Sequence, residues 1–186
     1  MDKRFLKAFL TPKATILLGK RLQPWCLKHR IQLAALNNPM VCGGAVSPFD
    51  LMVFVKVCSE QPFRASLGFG EKYELYRLRK ASALMVAITL AKEHMKTDDW
   101  PRFWHKESSE SGDGLRGVPW ALSVIANLVK HGVSHDEAIH LPEAYALWLS
   151  TALGVHDGAK VDILTTEHEE LLDALSRVET SEPKET

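Results

Sequence analysis

Three histidines fall within ten residues of this chain: His131, His135 and His140, with Asp136 and Glu137 between them. These are metal-ligand types, and a metal site needs three or four such side chains converging on one point. The spacing argues against convergence. His131 and His135 are four apart, but Gly132 breaks the helix between them. His135 and His140 are five apart, out of phase on a helix. His131 is expected instead at a helix C-terminus, where a cationic ring is favoured, with the other two at the surface. Glu167, Glu169 and Glu170 offer paired carboxylates for acid–base work. They stand in the first turn of an expected helix, where negative charge complements the dipole. Cys26 and His29 bring a thiol and a base to three-residue spacing, but no residue is marked as a base orienter or oxyanion hole. A phosphate loop, HExxH, G-x-S-x-G and a dinucleotide fingerprint are all missing from the sequence. No catalytic residue, cofactor or metal is therefore expected.

The elements that would position such groups are legible. The 186 residues, 46% hydrophobic and 25% charged, are globular values and suffice to bury a core without metals or disulfides. Positive and negative residues balance at 23 each, so net charge gives no argument for nucleic acid. Locally the balance fails: residues 1–30 hold eight basic residues against Asp2, and residues 160–186 hold eight acidic residues against three basic ones. Such opposed ends can contact one another or draw different partners. The three cysteines (Cys26, Cys42, Cys58) lack a CxxC and sit beside apolar residues, as reduced, mostly buried thiols of a cytosolic protein do. The basic start MDKRFLKAFLTPK has too short an apolar run for a signal-peptide core. Ala83–Ala91 is too short to span a bilayer.

Caps and breakers divide the chain into helices. Gln23-Pro24-Trp25 opens one that ends at Asn37-Asn38-Pro39, because the residue before proline avoids helical angles. Val41 to Gly44 reads as a flexible connector. Ser47-Pro48-Phe49-Asp50 caps the next helix, apolar nearly all round to Ser59 and so central. Glu71 to Lys96 reads as one long helix with Leu75, Leu78, Ala81, Met85 and Ile88 on its core face. Residues 100–104 read as a short aromatic helix. Residues 107–117 read as a mobile polar loop. Pro119–His131, Ser134–Leu141, and Pro142 to a close at Gly154 follow. Ser134/Glu137 and Thr166/Glu169 form capping boxes, the second opening a helix to about Val178. The expectation is an all-α, compact bundle of about seven to eight helices. It comprises a single domain, 1–178, with a disordered tail, 179–186. Residues 119–153 can be drawn as a helix–turn–helix, yet the would-be reading helix PEAYALWLSTAL holds no Lys or Arg. No specific nucleic acid and no membrane are expected. Tryptophans near helix starts are mainly packing residues, and any that stay exposed are natural anchors. Trp25, Trp120, Tyr145 and Trp148 are the candidate partner-binding residues.

Two segments resemble the tail assembly chaperones of long-tailed bacteriophages and prophages. Residues 24–59, PWCLKHRIQLAALNNPMVCGGAVSPFDLMVFVKVCS, are similar to their opening: a helix around a histidine, an A-L-x-x-P break, a Gly-Gly connector and a capped S-P-x-D-L helix. Residues 118–172 are similar to their later half, with a helix ended by glycine, a short x-E-A helix and an L-P-E-A helix start. The resemblance covers about half the chain and carries no functional residue across. It implies a helical binding protein of the host cytoplasm, absent from the finished virion. Its client there is the tape-measure protein, kept soluble while the tail tube forms. The tail tube protein would be a second partner, and self-association stays open. Apolar grooves between helices would take an amphipathic partner helix. Competing expectations are a neck or connector component of the virion or prophage, a small helical enzyme, and an unrelated adaptor. The enzyme would need a deep polar pocket with at least two perturbed titratable groups.

Overall fold

The computed structural model describes residues 2–10, 15–64, 66–96, 99–103 and 119–181. Among these, ten helices and one hairpin follow in the order α1 (Lys3–Phe9), β1 (Thr15–Leu17), β2 (Lys20–Leu22), α2 (Leu27–Ala35), α3 (Pro39–Cys42), α4 (Pro48–Cys58), α5 (Phe69–Arg77), α6 (Ala81–Met95), α7 (Trp120–Lys130), α8 (His135–His140), α9 (Glu143–His156) and α10 (Thr166–Ser181). The protein is thus mainly helical, with eight helices of seven residues or more.

The hairpin departs from an all-helical reading. β1 and β2 pair antiparallel, Thr15 opposite Leu22 and Leu17 opposite Lys20. Their two-residue turn puts Leu18 at φ 47° and Gly19 at φ 72°. Two positive φ angles in succession match the right-handed twist of a hairpin, and Gly is the residue that takes the second without strain. Extended backbone continues past β2: the Gln23 N–H donates to the Cys58 carbonyl at 2.7 Å, and Cys26 bridges to Pro142. Helix α2 therefore starts at Leu27, with Cys26 as its extended cap, rather than at Trp25.

Ser47 caps α4 as expected: its Oγ accepts from the Asp50 N–H at 3.2 Å and Asp50 accepts from the Ser47 N–H at 2.9 Å. Leu51, Met52, Phe54, Val55 and Cys58 on this helix are buried, which makes it the centre of the first core. That core also takes Leu17 and Leu22 from the hairpin, Trp25, Leu33, Leu78 and the α6 residues Ala87, Ala91 and Met95. A second core gathers Leu27, Ala121, Val124, Ile125, Leu128, Ala138 and Ala146 from α2, α7, α8 and α9. Helix α2 feeds both, through Leu33 on one side and Leu27 on the other.

Several boundaries differ from the sequence reading. The connector expected at residues 41–44 is partly helical, since Asn38 caps α3 by accepting from the Met40 N–H at 3.0 Å. The long helix expected over 71–96 is two, because Lys80 is extended between α5 and α6. Its core face is also rotated: Ala87, Ala91, His94 and Met95 are buried while Met85 is exposed. Residues 100–103 form no helix, and Phe103 instead bridges to Ile163. Helix α9 runs through Gly154 to His156, and Gly158, at φ 92°, takes the left-handed position after it. Gly132, at φ 92°, does end α7. Ser134 makes half of its box, accepting from the Glu137 N–H at 3.2 Å. At α10 the side-chain acceptor is Thr165, toward the His168 N–H, rather than Thr166. That helix continues to Ser181, so residues 179–181 are helical. The loop expected at 107–117 and the tail beyond 181 lie outside the described residues.

Candidate functional site

The residues singled out for chemistry do not converge. His131 Nε2 lies 3.2 Å from Asp157, and its Nδ1 is 2.8 Å from the Asn127 carbonyl. That carbonyl first, then Asp157, raises its pKa. His140 meets the Asp136 carbonyl at 2.7 Å and Lys28 at 3.1 Å. Glu169 is held by Arg4 at 3.2 Å and Arg102 at 3.0 Å. Among the described residues no three His, Cys, Asp or Glu side chains gather around a point that could hold a metal ion.

Cys26 and His29 do meet, Sγ to Nδ1 at 3.3 Å, both buried. Burial raises the thiol pKa and lowers the imidazole to about 4. Both shifts favour the neutral pair, a thiol hydrogen-bonded to an imidazole, and oppose the thiolate a nucleophile requires. A cleft of about 530 Å³ beside α6 is lined by Trp25, Leu90, His94 and Met95, with Lys7 and Glu93 at its wall. Desolvation lowers the His94 pKa. A second cleft, of about 580 Å³, is lined by His29, Gln32, Lys56 and Phe63. One titratable group with a shifted pKa stands in each.

Aromatic residues form two contrasting groups. The first surrounds Arg30 of α2. Its Cζ lies 5.6 Å from the Trp25 ring centre and 5.0 Å from each of the Trp100 and Trp120 rings. Its guanidinium donates to Glu143 at the start of α9, and the Trp25 indole N–H donates to the same carboxylate. Glu143 is 1% exposed. Its desolvation outweighs Arg30 and pushes the pKa up to about 7. The Glu143 backbone N–H is bound too, to the Trp25 carbonyl at 3.0 Å. This arrangement pins α2 to α9 between the two cores.

The second group lies on α5. Phe69, Tyr73 and Tyr76, spaced four and three apart, fall on one side of the helix at 91%, 61% and 69% exposure. Leu78, which caps the helix at its C-terminal end, is buried in the first core. What turns the rings outward is a charged clamp beneath them. Glu71 pairs with Lys20 of β2 at 2.7 Å and with Lys56 of α4 at 3.2 Å, and accepts from the Gly68 N–H at 2.9 Å. Lys20 first, with the other donors, holds the Glu71 pKa down to about 2. Lys56 is itself buried on α4 and donates to the Ser66 carbonyl at 2.8 Å. Met85, Val86 and Leu90 of α6 are exposed as well.

The four candidate partner-binding residues divide between these environments. Trp25 is buried, stacked on Phe54 at 5.7 Å, and Trp148 is buried with its indole N–H on the Asp99 carbonyl at 2.9 Å. Both hold the fold together in this conformation. Tyr145 is half-buried beneath Phe9 of α1, ring centres 4.6 Å apart. Trp120 keeps 39% of its surface exposed at the start of α7. The sequence pattern points away from the α5 ridge, because Leu75, Leu78 and Met85 give the segment an apparent core face. The i, i+4, i+7 spacing of Phe69, Tyr73 and Tyr76 was the signal available. No family model, curated protein or solved structure matches this chain.

Proposed function

We propose that this chain is a binding protein with no reaction of its own, acting as a tail assembly chaperone that keeps a tape-measure protein soluble during tube assembly. The observation that carries the binding role is the α5 ridge. Three large aromatic rings on one side of a nine-residue helix are left in water, although each would release surface worth about 1.5–3 kcal/mol on burial. Exposed apolar patches of this kind mark interaction surfaces. Rings at i, i+4 and i+7 complement the apolar stripe of an amphipathic helix. The phage assignment within that role rests on the resemblance of residues 24–59 and 118–172, and the tape-measure protein is the long helical client it implies. Many weak contacts along such a client would give avidity while each stays reversible.

Co-expression with a tape-measure fragment tests the reading. The soluble share of the fragment should rise several-fold with this chain present. Equal insolubility with and without it would refute the chaperone role.

A further inference from the structure

The α5 ridge carries charge as well as rings. Lys72, Arg79 and Lys80 beside it are exposed and form no ion pair with a described carboxylate, and the Arg79 guanidinium lies 5.8 Å from the Tyr76 ring centre. The two acids of α5 are already engaged, Glu71 below the helix and Glu74 with Arg77 at 2.9 Å. The ridge is therefore aromatic and cationic together.

Helix α10 has the opposite character. Glu169 anchors it on one side to Arg4 and Arg102. The other side presents Glu167, Glu170, Leu171 and Ala174, all exposed and at three- and four-residue spacing. Neither Glu167 nor Glu170 pairs with a described cation, and Leu171 and the neighbouring Leu172 are exposed aliphatic residues. Sixteen residues give a helix of about 24 Å, longer than the ridge, whose eight residues from Phe69 to Tyr76 span about 10 Å.

From this complementarity we infer that a second copy of this chain occupies the ridge, laying its acidic α10 face along Phe69, Tyr73 and Tyr76. Leu171 and Ala174 meet the rings while Glu167 and Glu170 reach Lys72, Arg79 and Lys80. A two-fold axis uses the contact twice, once in each direction. The idea deepens the reading of the ridge as a client site: the partner class is an acidic amphipathic helix, and self-association shields the rings until a client displaces α10.

The test is a mixing experiment read by light scattering. At low salt the wild-type chain should scatter at about twice its 20.8 kDa mass. A ridge variant (Phe69→Ser, Tyr73→Ser, Tyr76→Ser) and an α10 variant (Glu170→Lys, Leu171→Ser) should each be monomeric alone. Mixed in equal amounts they should form a heterodimer, because one still supplies α10 and the other the ridge. Raising salt from about 50 to 500 mM should weaken association several-fold. Circular dichroism checks that both variants fold, and the single changes Tyr73→Ser and Leu171→Ser replace any that do not. A wild-type monomer at 100 µM overturns the inference, as does a variant that still dimerises or a mixture that stays monomeric. So does a monomer whose ridge binds a single-stranded oligonucleotide instead. The α10 variant should still solubilise a tape-measure fragment, so loss of dimerisation and loss of client binding are separable.

Discussion

Two groups of aromatic residues in this protein have opposite surroundings, and charge is what separates them. Around Arg30 the rings of Trp25, Trp100 and Trp120 enclose a cation whose counter-ion, Glu143, is out of water. On α5 the charged cluster of Glu71, Lys20 and Lys56 lies beneath the helix and the rings face solvent. The first arrangement joins elements of the same chain. The second fixes a helix so that its apolar residues are left in solvent. Ring count alone would not have told them apart.

Breaking the Arg30 group should have the largest effect. Arg30→Ala removes the counter-ion of buried Glu143, leaving that carboxylate only the Trp25 indole N–H, and should cost about 3–5 kcal/mol in urea unfolding. Next in size is a pH effect at Glu143 itself. Its folded pKa, about 7, stands above its ordinary 4.5. The group therefore favours the fold below about pH 4.5, and that contribution is lost as pH rises to about 7. The stability difference between wild type and Glu143→Gln should fall by roughly 3 kcal/mol across that window and be flat on either side. A difference independent of pH would mean that Glu143 does not titrate there.

The clamp under α5 should matter less to stability and more to binding. Glu71→Gln removes a carboxylate that holds two lysines, one of them buried, and should cost about 2 kcal/mol at neutral pH. Because the folded pKa of Glu71 is depressed to about 2, its contribution is present above about pH 4.5 and fades as pH falls toward 2. Unfolding of the two proteins at pH 7 and pH 3 should show the gap closing in acid. The smallest stability change should come from the ridge. Each of Phe69→Ser, Tyr73→Ser and Tyr76→Ser should lie within about 0.5 kcal/mol of wild type.

Much of the helical framework was readable because cap residues state it locally. Ser47 with Asp50 and Gly132 after α7 act within three or four residues, and the structure uses both of them. What escaped depends on distance or on context. The hairpin turn carries Leu18 where Asn or Asp is usual, so its positive φ has no local signature. The split between α5 and α6 contains neither Gly nor Pro, and the apolar period runs straight through it. Leu78 docks into the first core while Lys80 extends, a tertiary outcome that no window of sequence contains. The Arg30 group joins residues from positions 25 to 143, so its meaning lies wholly in the fold. The ridge was the reverse case: its spacing was visible, and only burial could say that it faces outward.

The most direct test pairs folding with binding in one variant. Phe69→Ser/Tyr73→Ser/Tyr76→Ser should melt within a few degrees of wild type, yet lose most of its capacity to keep a co-expressed tape-measure fragment soluble. A variant that melts normally and still holds the fragment in solution would contradict the assignment of α5 as the binding surface.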